Sequence, residues 1–314
     1  MTSLRQATRC QDSISMHLPR RVLSILGLLS LLTSAHGGWE PSRMAPPWCE
    51  QLLRAQRNAS CSTPFTDIAA SHTVPLNLDR DEYLVAVAKA STRLKAPPPV
   101  WMSGQGQDWW VWYNHARLLR KHGTYVDLAA NDAIWRSNTF FLDVCLGWRG
   151  LLIEPNRVHH ARYAQHRSGL LVPVCVSNST KNVSFAFGLG WHGGSSRVIQ
   201  STDRRRGGTV KTIVCRPLGK ILADFVVQHV DFLSLDIEGH EVEALSSFDF
   251  SSDNNVKIDI IVSENEKVAD LLKKAGYRKM SNAHDHIFVR PGFLLAIERA
   301  GHKPADSLPR CPID

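Results

Sequence analysis

The stretch GTYVDLAANDAIWRSNT, residues 123–139, is the one from which the fold can be read. TYVDLAA is a short apolar run of the kind that fills a buried strand, and Gly123 closes the helical pattern before it. A tight turn through Ala129, Asn131 and Asp132 then leads into polar Ser137-Asn138-Thr139. Nucleotide-binding α/β folds place their cofactor loop at a junction of this kind, and that loop is usually rich in glycine. Here alanines hold the turn.

Outward from this junction the chain alternates between helix and strand. WWVWYNHARLLRKHG is expected to be a helix ending at Gly123, and SNTFFLDVCLGW another. RGLLIEP is the second strand, VHHARYAQHR a helix with its histidines at the surface, and GLLVPVCVS the third strand. VSFAFG reads as a short extra strand, and residues 188–208 as a long Gly- and Arg-rich loop. LGKILADFVVQH, HEVEALSSF and KVADLLKKAG are helices around a fourth strand, VDFLSLDI, and a fifth, KIDIIVSE. YRKMS and HIFVR form a closing hairpin. Short apolar runs without alternation, separated by helices, imply a mostly parallel sheet covered on both faces. The fold class is therefore α/β and Rossmann-like, with a C-terminal antiparallel hairpin.

In such a sheet, ligands bind beyond the carboxyl ends of the strands. The first strand ends in Asp127 and the second in Glu154; the third ends at Ser177, the fourth in Asp236 and Glu238, and the fifth in Glu264. Taken singly, an acid after a strand is an ordinary turn or capping residue. Jointly they indicate a site, because an acid after the second strand is what a ribose hydroxyl pair requires. GxxxxGK[ST] does not occur, and GxGxxG occurs only at 188–193, in the Gly- and Arg-rich loop rather than after the first strand, so a phosphate-bearing cofactor is disfavoured. S-adenosylmethionine carries a ribose, an adenine, a sulfonium and an amino-acid tail, and acidic strand ends suit its positive charges.

Five segments carry a family resemblance: SGQGQD (103–108), GTYVDLAANDAIWRSNTFFLD (123–143), LGWRGLLIEPN (146–156), VDFLSLDIEGHEVEAL (230–245) and HIFVRPG (286–292). In that order they resemble the FkbM-type methyltransferases, S-adenosylmethionine-dependent O-methyltransferases with a class I Rossmann-like sheet. The resemblance implies that Asp127 and the turn through Ala129, Asn131 and Asp132, with Asn138, hold the methionine part. It implies Glu154 at the ribose and Ser177 near the adenine. Asp236 and Glu238 would face the methyl group and acceptor. Asp236 is the candidate base, with Glu238, His240 and Glu264 as alternatives. Many members of the family have glycine where Ala129 stands. A rival reading comes from Star-type proteins, which resemble this fold but work in membrane trafficking.

The N-terminus points to a compartment. Arg20 and Arg21 precede an apolar run from Val22 to Leu32, followed by small residues. This is the layout of a secretory signal, or of a short type II anchor, over residues 1–37. Residues 38–100 form a Pro- and Cys-punctuated extension, 101–292 the methyltransferase-like domain, and 293–314 a tail. Sequons at Asn58, Asn178 and Asn182 agree with the secretory pathway. Six cysteines follow the leader. Cys49 and Cys61 are the expected bridge, with Cys145 and Cys175 as buried thiols. No Cys/His spacing indicates a metal, and His284-Asp285-His286 reads as a hairpin turn. A net charge of +8 without a dense basic patch disfavours nucleic acid. The expected partner is a small-molecule or glycan acceptor, with membrane association through the N-terminal segment.

Overall fold

The computed structural model describes residues 49, 103, 106–116, 122–134, 136–187, 196–199, 209–251, 256–280 and 285–301. The leader, most of the extension, Asn58, Cys61, most of the loop 188–208, His284 and the chain beyond 301 lie outside the described residues.

The main sheet has seven strands. β1 (Thr124–Leu128), β2 (Arg149–Ile153), β3 (Leu170–Val172), β8 (His229–Leu235) and β9 (Lys257–Ser263) run parallel, in the order β9-β8-β1-β2-β3. The hairpin of β10 (Arg278–Lys279) and β11 (His286–Val289) adds antiparallel to β9. The chain thus goes outward from β1 to one edge, then returns to β1's other side through β8. The crevice above the β1–β8 neighbours is where this topology places a ligand.

The sheet is buried on both faces, which explains why its strands read as apolar runs rather than alternating ones. Tyr125, Phe232, Ile260 and Val262 belong to one core. That core also takes in α1 (Gln107–Val111), a π-helical turn (Trp112–Ala116), α2 (Phe140–Val144), Tyr163 of α3 (His160–His166), and α7 (Pro291–Arg299). Val126, Leu128, Leu233, Leu235 and Ile261 face the other core, with α4 (Leu218–Asp224), α5 (Glu241–Ser246) and α6 (Ala269–Lys274).

Four expectations need correction. The third strand is broken: β3 stops at Val172, and β4 (Cys175–Val176) joins a second, four-stranded sheet of order β4-β7-β5-β6. Pro173 stands at the break, where its missing N–H cannot continue a ladder. The second sheet holds β5 (Lys181–Phe187), β6 (Arg197–Val198) and a long strand the pattern did not reveal, β7 (Thr209–Arg216). β7 is exposed over its first four residues, so it lacks the apolar run that marks a central strand.

The tail does not begin at 293. α7 opens with Pro291 in its first turn and buries Phe293, Leu294 and Ile297. The disulfides also differ. Cys49 bonds Cys145, 96 residues away, with Cα atoms 5.4 Å apart. Cys175 bonds Cys215, its register partner on the neighbouring strand β7. Bridging requires two Cα atoms within about 7 Å with their side chains facing each other, and folding brings distant residues into that arrangement. Finally, His159 and His166 are buried rather than on the surface.

Candidate functional site

The carboxyl ends of β1, β2 and β8 open into one cavity of about 350 Å³, at the small end of the ligand-pocket range of roughly 300–1,000 Å³. Asp127, Ala129, Asn131, Asn138, Glu154, Asp236, Glu238 and Glu264 all line it. Residues from four separate strand ends, up to 137 positions apart in sequence, therefore meet as the alternation implied.

The turn after β1 is held by its own hydrogen bonds. The Ala129 N–H donates to Ile153 O at 2.9 Å, which carries the β1–β2 pairing one residue further. Ala129 (φ 56°) and Asn131 (φ 50°) are both left-handed. This is the conformation for which glycine is the default and asparagine is tolerated. Alanine adopts it at a cost of about 1–2 kcal/mol. Asp132 does not line the cavity: its Oδ1 accepts from Ile134 N at 2.9 Å and its Oδ2 faces Arg162 Nε at 3.2 Å. It shapes the turn.

Glu154 is buried, and its two oxygens are oriented by backbone. Oε2 accepts from Asn131 N (3.0 Å) and Oε1 from Asn156 N (2.6 Å). Burial pushes its pKa up to about 7 against these hydrogen bonds. Asp127, also buried, accepts from Thr139 Oγ1 at 2.6 Å, and desolvation raises its pKa as well.

A second group of acids closes the cavity above β8 and β9. Burial, then repulsion from Asp285 and Glu238, raises Asp236 to about 7. Asp236 is accessible at its surface, but what it meets is the walled cleft, so desolvation still dominates. Glu264, desolvated and repelled by Asp236, rises to about 8, and Glu238 to about 7 through desolvation and Glu264. Asp236 and Glu264 are hydrogen-bonded to each other, so near neutral pH they share a proton. The turn that presents them is tied by buried Glu241, whose Oε1 accepts from Ile237 N (3.1 Å) and Gly239 N (3.0 Å). Glu238 (φ 56°) and Gly239 (φ 95°) are both left-handed in that turn.

Ser177 and His240 stand apart from the main cavity. Ser177 is fully buried, and its Oγ lies 3.2 Å from His240 Nε2. His240 lines a smaller apolar pocket of about 30 Å³ with Ile153, Val176 and Ile237. That pocket shares Ala129, Pro155, Phe185 and Ser196 with the main cavity. Burial lowers the His240 pKa, which favours the neutral ring.

Sequence reasoning assigned no role to Gln107, Arg136, Ser234 or Asp285, all of which line the cavity. Gln107 Nε2 donates to Asp285 Oδ2 across 178 residues. Gln107 lies in the SGQGQD segment, which was a usable signal; Asp285 was read only as part of a hairpin turn.

No curated protein and no solved structure gives a significant match. The match to a family model supports a methyltransferase: residues 127–279, from the end of β1 to β10, match the Methyltransferase FkbM domain.

Proposed function

We propose that the protein is an S-adenosylmethionine-dependent O-methyltransferase acting on a hydroxyl of a glycan or small metabolite in the secretory pathway. The observation that carries this reading is Glu154. Its carboxylate sits at the end of the second strand, buried, with both oxygens aimed by backbone amides at the edge of a cavity whose β1 turn carries no glycine-rich phosphate-binding pattern. A carboxylate so placed suits a ribose hydroxyl pair. Asp127 suits the ammonium of the amino-acid tail.

The cofactor supplies a methyl group on a positive sulfur, activated for displacement. The chain supplies position and a proton acceptor. Asp236, with a pKa of about 7 and a hydrogen bond to Glu264, takes the proton of an acceptor hydroxyl entering above β8. The acids around it also favour a positive group over water in the closed cleft. His240, hydrogen-bonded to Ser177 outside the main cavity, is less well placed for this role. The two disulfides and the exposed sequons at Asn178 and Asn182 support an oxidising, glycosylating compartment. Among the described residues no helix is long and apolar enough to cross a membrane. Membrane association through residues 1–37 would rest on the sequence pattern alone.

A non-catalytic, Star-like role in trafficking is favoured by one observation, the left-handed Ala129, which places a disfavoured residue in the cofactor turn. One titration separates the two readings. Calorimetry of the purified chain with S-adenosylhomocysteine should show binding, and Glu154→Ala should weaken it by about 2–3 kcal/mol, the value of hydrogen bonds to a charged group. No heat with either S-adenosylmethionine or its demethylated product at millimolar concentration would overturn the enzyme reading.

A further inference from the structure

Arg167 follows the last residue of α3 and does not line the cavity, yet it organises the cavity's floor. Its side chain is fully buried and paired with Asp143, Nε to Oδ2 at 2.7 Å. Nη1 donates to Ala133 O (3.2 Å) and Ser137 Oγ (3.1 Å), holding the segment that leads from the turn after β1 into α2. Nη2 donates to Thr139 Oγ1 at 2.6 Å, and that hydroxyl in turn donates to Asp127 Oδ2 at 2.6 Å. Tyr125, whose hydroxyl donates to Asp143 Oδ2 at 2.8 Å, completes the network from the strand below. Gly150 and Gly169 leave the room its ring needs, since a Cβ at either would collide with it.

Burying this charge is costly, and its pair with Asp143 and three bonds to the segment 133–139 offset that cost while fixing the segment in place. Thr139 links this charge directly to a cavity carboxylate. We propose that Arg167 and Thr139 act as a positioning relay, holding Asp127 in place and ionised for a cationic group of the ligand. This rests on the reading of the cavity as a cofactor site. The threonine hydroxyl accepts from the guanidinium, so its own hydrogen is directed at Asp127; the arrangement favours the carboxylate over the neutral acid.

The charged and titratable groups facing Asp127 are Arg167 and Tyr163, from α3 and its end, and Glu154 from β2; Ser234 of β8 adds a hydroxyl hydrogen bond. Burial raises Asp127, while Thr139, Arg167 and Ser234 pull it back. Removing the Thr139 hydroxyl therefore moves its protonation to higher pH.

The test is S-adenosylhomocysteine affinity of the full chain from pH 5 to 8, for wild type, Thr139→Val and Thr139→Ser. Wild type should bind, and its affinity should fall toward acid. In Thr139→Val the fall should shift up by about one pH unit, with up to about a tenfold loss on the acid side. Thr139→Ser, which keeps the hydroxyl, should restore the wild-type profile. Glu154 and Asp236 titrate in all three proteins, so the difference between profiles isolates Asp127. Thr139→Ala provides the same deletion if valine prevents folding, with a thermal melt as the folding check. An unshifted profile in a folded, binding variant overturns the relay alone; a wild type that binds no ligand overturns the cofactor reading and the relay with it.

Discussion

The two ends of the same strands treat acidic residues in opposite ways. β8 carries Asp231 near its start and Asp236 just past its end; β9 carries Asp259 near its start and Glu264 just past its end. At the lower end Asp231 and Asp259 are both paired by hydrogen-bond partners. Asp231 meets His115 Nε2 at 2.8 Å and the Thr124 N–H at 2.8 Å. Asp259 meets Arg290 through two nitrogens at 2.9 and 2.6 Å, and His229 at 2.9 Å. These contacts tie the π-helical turn, β1, β8, β9 and the residue that opens α7 into one unit. At the upper end Asp236, Glu238 and Glu264 face one another across a cavity, and their pKa values rise. The lower cluster binds the fold together. The upper one is a standing electrostatic cost, which a native structure keeps at a site of function.

The largest expected effect breaks this contrast most directly. Asp231→Ala removes a buried partner of His115 and should cost about 3–5 kcal/mol in urea unfolding. Asp236→Asn should leave stability unchanged or higher, while methyl transfer falls by about 10²–10⁴. Equal stability losses in the two variants would mean that both clusters are structural.

A smaller effect lies in the pH dependence of stability. The upper acids have folded pKa values raised above their ordinary ones, so their contribution is full below about pH 4. It is lost as pH rises through about 7 to 8. His229, raised to about 9 by Asp231 and Asp259, contributes fully below its ordinary pKa of about 6.5 and loses this as pH rises through about 9. Both lower the melting temperature toward alkali, in windows that overlap only in part. Glu264→Gln should flatten the fall between about pH 4.5 and 8, and His229→Gln the fall between about pH 6.5 and 9. If His229→Gln flattens the fall below about pH 6, or Glu264→Gln the fall above about pH 8.5, the assignment of the clusters is wrong.

The smallest effect concerns the cofactor turn. Ala129→Gly should relieve the left-handed strain of about 1–2 kcal/mol, partly offset by about 0.4–1 kcal/mol of unfolded-chain entropy. A net gain within about 1 kcal/mol, with ligand affinity kept, would mark Ala129 as a tolerated variant. A loss of affinity would show that its methyl group forms part of the wall.

Much of this was legible in the sequence, and the exceptions share a cause. The five parallel strands could be read because a strand buried on both faces must be a continuous apolar run. β7 could not, since an exposed strand in a small side sheet carries no such mark. Asp127, Glu154 and Asp236 could be placed together because parallel strands end on one side, whatever lies between them. Arg167 could not: after a helix rich in histidine and arginine it looks like any solvated cation, and only the fold buries it against Asp143.

The sequence by itself determined the order of elements and the row of acids at the strand ends, because local patterning encodes which segments are buried. The tertiary structure alone decided which acids are neutralised and which are left facing a cavity. Their partners stand far along the chain, His115 being 116 residues from Asp231 and Arg290 31 residues from Asp259. It also decided the cysteine pairs, since a bridge follows distance in space and not along the chain.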